Sequence, residues 1–177
     1  MNSNVPANAK PGDFAVVHVL GPLGNYLSYA EALMGDGQLI YDHAFLYVGD
    51  NKCIEAMPWG VSVDSMDNPT HALYSNYLWS TDILFPTEIQ REGIVTAAYG
   101  YVGTVYNYLE WIPAMAWIAR PFTYFWYKLL PFIMDSHLLM CSQLVAQSWE
   151  NGGYPLCDGR WAAYISPADL GSYLLGE

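Results

Sequence analysis

Positive charge is scarce in this chain. Six Lys and Arg stand against 17 Asp and Glu, for a formal charge of −11. Phosphate backbones are held by clustered Lys and Arg, so the composition argues against nucleic acid as the main partner. It also disfavours electrostatic docking to an anionic membrane surface. An acidic protein instead tolerates or attracts a cationic substrate, such as a peptide bearing free amines. Cysteine is scarce too. Cys53, Cys141 and Cys157 are an odd number without CxxC spacing, which argues against a disulfide framework and against a zinc knuckle. No HExxH and no His/Asp cluster at ligand spacing occurs, so neither a metal nor another cofactor is expected. Gly21-Pro22-Leu23-Gly24 lacks the Gly-Lys-Ser/Thr that a phosphate loop needs. The first ten residues carry no basic stretch followed by an apolar run, so the chain reads as made in the cytoplasm without a Sec-type signal.

Long uncharged apolar runs are missing as well. The segment 109–134 is crowded with Trp, Phe and Tyr, but Glu110, Arg120, Lys128 and three prolines interrupt it. Its runs fall short of the roughly 20 residues a spanning helix needs. It reads as an apolar insertion covering the core or a dimer interface. A pocket wall and a membrane-surface element are the other readings, and membrane association is not the favoured one.

What is present fits one domain. The chain has 177 residues, 53% apolar and 16% aromatic, enough for a sizeable core. Residues 1–12 read as a polar tail, and 13–177 as a single α+β domain. Phe14 to Leu20 is β-rich. Gly49-Asp50-Asn51 is turn chemistry, which predicts a hairpin of 43–48 with 52–56. Alternation in Val61-Ser62-Val63-Asp64 suggests a third strand, and Ile83-Leu84-Phe85 a further short one. After Pro86 the period changes. Thr87 and Gln90 form a capping-box pattern, and Ile94, Val95, Ala98, Tyr99 and Val102 recur at helical spacing until Gly103. Cys141 to Glu150 is a second helix, stopped by Asn151-Gly152-Gly153. Ser166 caps a short last helix with Pro167 at its first position.

Two of these positions carry chemistry. A cysteine opening a helix has its thiolate stabilised by the macrodipole and by free N–H groups, which also serve an oxyanion. Cys141 stands there, although a free cysteine is as readily a small core hydrophobe. His43 opens the strand His43-Ala44-Phe45-Leu46-Tyr47-Val48, where a satisfied core histidine is the plainer reading. Glu55 falls opposite or diagonal to it across the predicted hairpin, within reach of the imidazole. A carboxylate there fixes the tautomer and stabilises the cation, as in a triad. Its alternative is a solvent-facing strand residue. Cys53 and Cys157 have no obvious base beside them and read as structural. His18, His71 and His137 are less well placed for a direct role.

Six short segments in order resemble the NlpC-type cysteine peptidases of the p-sixty superfamily, in their circularly permuted, YiiX-like branch. They are Pro11-Gly12-Asp13-Phe14-Ala15-Val16, Asp42-His43-Ala44-Phe45-Leu46-Tyr47-Val48-Gly49, Ile54-Glu55-Ala56 with Gly60-Val61, Tyr101-Val102-Gly103-Thr104-Val105-Tyr106-Asn107, Cys141-Ser142-Gln143-Leu144-Val145 and Ser166-Pro167-Ala168-Asp169-Leu170. In that branch the histidine strand precedes the cysteine helix, as it does here. The resemblance implies a permuted papain-like fold, an antiparallel barrel-like sheet packed against the helix carrying the nucleophile. It implies Cys141 as nucleophile, His43 as general base and then acid, and Glu55 as orienter. Asp13, Asp42, Tyr106 and Ser142 lie within the matched segments and are candidate substrate-binding residues. Asp42 departs from the family's Ser at that place, and 109–134 is unusually aromatic. The implied activity is cysteine hydrolysis of amide bonds, in peptidoglycan stem peptides or similar small peptides. A phage setting or a dedicated secretion route would bring such an enzyme to a cell wall. A lipid-directed acyltransferase or deacylase of the lecithin retinol acyltransferase type and a non-catalytic binding or assembly protein are the alternatives.

Overall fold

Among the described residues, five short β-rich segments pair into one antiparallel sheet, in the order β4-β3-β2-β1-β5. They are β1 (Phe14–Val19), β2 (His43–Gly49), β3 (Lys52–Met57), β4 (Gly60–Ser65) and β5 (Tyr74–Trp79). Three α-helices are found among the described residues: α1 (Glu88–Gly100), α2 (Cys141–Asn151) and α3 (Pro167–Leu175). The structure is a computed structural model and describes residues 4–21, 41–57, 59–105 and 140–176. The α+β class read from the sequence is therefore observed, while the segment 109–134 and the candidate residues Tyr106 and His137 lie outside the described residues.

The β2–β3 hairpin turns where the sequence placed it. Asp50 and Asn51 both adopt positive φ, 50° and 56°, the pattern a right-twisted two-residue turn demands. Pairing of Phe45 with Glu55 and of Leu46 with Ile54 sets the register. Strand alternation then divides the sheet into two faces. Phe14, Val16, Ala44, Leu46, Ile54 and Ala56 face a core shared with Ile94, Leu144, Val145, Trp149 and Leu170 from the three helices. Ala15, Val17, Phe45 and Cys53 face a second, smaller core with Met66, Tyr74 and Trp79.

The helix signals hold at their starts. Thr87 accepts from the Gln90 N–H while the Gln90 side chain takes the Thr87 N–H, a closed capping box. Ser166 and Asp169 do the same for α3, with Pro167 at its first position. The buried face of α1 is Arg91, Ile94 and Ala98, whereas Tyr99 and Val102 are exposed. Helices α1 and α2 touch closely at Gly152, where an added Cβ would lie 2.8 Å from the Gln90 carbonyl oxygen.

One expected strand is not one. Residues 81–83 form a turn in which the Ile83 and Leu84 N–H groups donate to the Ser80 carbonyl, and Phe85 is exposed. The fifth strand is Tyr74–Trp79 instead, paired with β1 across a bulge at Val16/His18. Polar Ser75 and Asn76, the latter at φ 52°, obscure its alternation in the sequence.

Candidate active site

His43 is the first residue of β2 and Cys141 the first of α2, so both side chains stand at the ends of their elements. The helix begins at Met140, whose carbonyl accepts from the Leu144 N–H and whose own N–H donates to the Gln143 side chain. The first N–H groups of a helix have no acceptor within it. In α2 these belong to the turn that carries Cys141. Cys141 lies close enough to His43 to act on its charge, and both are nearly buried, at 4% and 6% exposure.

Glu55 completes the line. It is two residues out of step with His43 across the β2–β3 register, since its direct partner is Phe45, so the two side chains share a face diagonally. His43 Nε2 lies 2.9 Å from Glu55 Oε2. A carboxylate only accepts, so Nε2 carries the proton and Nδ1 is left as the ring's acceptor. Glu55 has no exposure at all, which the pairing makes tolerable.

The carboxylate has two further donors that the sequence did not single out as partners. His71 Nε2 donates to Oε1 at 3.0 Å and the Tyr74 hydroxyl to Oε2 at 2.9 Å. His71 comes from a 3-10 turn, Pro69–Leu73, capped by Asn68 accepting from the Thr70 N–H. The N-cap pattern Asn68-Pro69-Thr70 was a legible signal for the turn. Nothing in the spacing aimed its histidine at Glu55.

Burial opposes every charge in this row, and the mutual contacts outweigh it. His43 is pushed up to about 10: desolvation lowers it, but the neighbouring Cys141 and Glu55 raise it by more. For Glu55, burial pulls upward, yet hydrogen bonds from His43 and His71 hold its carboxyl well below the usual range. His71 is raised by Glu55 despite its own desolvation. The chemistry available is a thiol beside an imidazole that holds a proton readily, with an ionised carboxylate behind it.

Other sequence candidates are used within the fold. Asp13 is buried, with Arg91 Nη1 at 2.6 Å, the Thr81 hydroxyl at 2.9 Å and the Lys10 N–H at 2.9 Å. It lies beyond the Phe14 end of β1, whereas His43 sits opposite Val17, roughly 13 Å away along the strand. Asp42 accepts from the Val19 N–H at 2.7 Å and lies 2.8 Å from His18 Nδ1, which ties the start of β2 to the end of β1. Ser142 is buried within α2. Cys53 and Cys157 are buried free thiols. Desolvation raises both, Cys157 to about 11, so neither is an activated nucleophile.

The fold also gathers a group that sequence spacing did not reveal. The ligand atoms of Cys53, Glu55 and His71 lie within 4.8 Å of one another, a donor set suited to a divalent cation such as zinc. Glu55 and His71 already satisfy each other by a hydrogen bond, which a metal would have to displace.

No protein-family model, curated protein or solved structure matches this chain.

Proposed function

We propose that the protein is a cysteine hydrolase that opens amide bonds through a thioester on Cys141. One observation carries the reading: the buried His43 is hydrogen-bonded to the Glu55 carboxylate and close enough to the Cys141 thiol to feel its charge. His43 Nδ1 takes the thiol proton, and the thiolate attacks the substrate carbonyl carbon. The tetrahedral oxyanion is met by N–H groups at the start of α2. On collapse the carbon–nitrogen bond breaks, and the departing amine takes its proton from His43. Water then attacks the thioester with His43 as base, releasing the acid and restoring the thiol. Glu55 keeps the imidazole in the productive tautomer and stabilises its cation throughout.

The order of the parts, a histidine strand before a cysteine helix, fits a permuted papain-like arrangement. The proposed substrates are peptidoglycan stem peptides or similar small peptides. Two features support that choice: the resemblance of the six segments, and a net charge of −11 that suits free amines. Incubation with stem-peptide fragments, followed by mass spectrometry of the products, tests it. Wild-type protein releases shortened peptides and Cys141→Ala does not. Full turnover by Cys141→Ala would refute the nucleophile. Acyl transfer from lipid with no peptide cleavage would move the substrate to the lipid-directed class.

A further inference from the structure

A catalytic carboxylate needs one oxygen aimed at its histidine, yet Glu55 has two oxygens and a buried charge to balance. Both demands are met from one side of the sheet. His71 is 4% exposed, and its ring stacks on Phe45 at 6.1 Å and 12° and packs against Tyr74 at 4.9 Å. Phe45 is itself the cross-strand partner of Glu55, so the stack sets the imidazole against the carboxylate. The turn carrying His71 is braced: Asn68 is held by both Asp64 carboxylate oxygens at 2.7 and 2.8 Å, and the Tyr77 hydroxyl donates to the His71 carbonyl. His71 Nδ1 is buried without a well-aligned partner, the Met66 backbone lying close by. The groups facing the ring are Glu55 and Cys53 from β3, Asp64 from β4, and Tyr74 from β5.

We propose that His71 is a positioning residue of the thiol site, holding Glu55 Oε1 so that Oε2, shared with the Tyr74 hydroxyl, stays aimed at His43. Without His71, Oε1 loses the donor that fixes the plane of the carboxylate. This inference rests on the acyl-transfer reading, since the orientation of Glu55 reaches Cys141 only through His43.

The test is the alkylation rate of Cys141 by iodoacetamide between pH 4 and 10, read by peptide mass spectrometry, which needs no knowledge of the substrate. His71→Gln keeps a donor towards Oε1 but no charge, and His71→Phe keeps the ring over Phe45 but no donor. The expected order at pH 7 is wild type, then Gln, then Phe, with the Phe variant slower by about tenfold or more, as when residues supporting a reactive site are removed. In both variants the onset of labelling moves to higher pH. A purely structural role would lower the melting temperature of both and leave the pH–rate curve in place, which would overturn the proposal. The wild-type protein supplies a reading that survives misfolding of either variant: the His71 Nε2–H proton should give an NMR resonance protected from exchange, as a donor held by a buried carboxylate does. A rapidly exchanging proton would overturn it as well. Slow labelling of wild-type Cys141 would instead remove the acyl-transfer reading, and this inference with it.

Discussion

His43 and Glu55 meet diagonally across the β2–β3 hairpin, Nε2 to Oε2 at 2.9 Å, with neither side chain more than 8% exposed. That relationship fixes the orientation of a buried histidine. It also makes the site a pH-sensitive part of the fold.

Stability should follow the charges of this row. The Glu55 carboxyl is depressed, so its contribution is complete above its unfolded value near 4.5 and is lost as pH falls through the folded value. His43 and His71 are raised, so theirs is complete below about 6.5 and is lost as pH rises, up to about 10 for His43. Melting temperature measured against pH should therefore be highest between these limits and decline on the alkaline side. Glu55→Gln should flatten both limbs, and unchanged limbs in that variant would contradict the linkage.

Glu55→Ala should be among the most damaging substitutions in the protein. It leaves His43, His71 and Tyr74 without their shared acceptor, and breaking a buried charged pair costs about 3–5 kcal/mol. Denaturant unfolding measures the loss. A cost within about 1 kcal/mol would mean the carboxylate is not ionised in place.

Asp13 and Arg91 supply a contrast. Arg91→Met strands a buried carboxylate, which should lower stability by about 3–5 kcal/mol and the melting temperature by about 10 °C. Because this pair lies beyond the far end of β1 from His43, Cys141 alkylation at pH 7 should stay within about twofold of wild type. A collapse in labelling would place Asp13 in the chemistry after all.

Asp42→Ser shortens the side chain that precedes His43. It removes the acceptor for the Val19 N–H and the partner of His18, and should cost about 1–3 kcal/mol in unfolding experiments. The loss of Cys141 reactivity should be smaller than for His43→Ala. Equal losses would show that Asp42 sets the imidazole directly.

Much of this site was legible because local rules place it. Turn chemistry at Gly49-Asp50-Asn51 determined the hairpin, and the hairpin determined the diagonal of His43 and Glu55. The stop at Asn151-Gly152-Gly153 and the Cys141 start bounded α2. His71 and Tyr74 were not legible, because their approach to Glu55 depends on how the 66–73 connection folds back over β2 and β3. That is a tertiary fact without a period. Strand β5 was missed for a related reason: its pairing with β1 tolerates a bulge and two polar residues that break alternation.

The most direct measurement is the alkylation rate of the three free cysteines in the folded protein at pH 7, resolved by peptide mass spectrometry. All three are buried, so exposure alone does not separate them. Activation by His43 predicts that Cys141 reacts fastest, that His43→Ala abolishes its advantage, and that Cys53 and Cys157 react only on unfolding. Cys141 labelling no faster than Cys157 in the folded wild type would contradict the account.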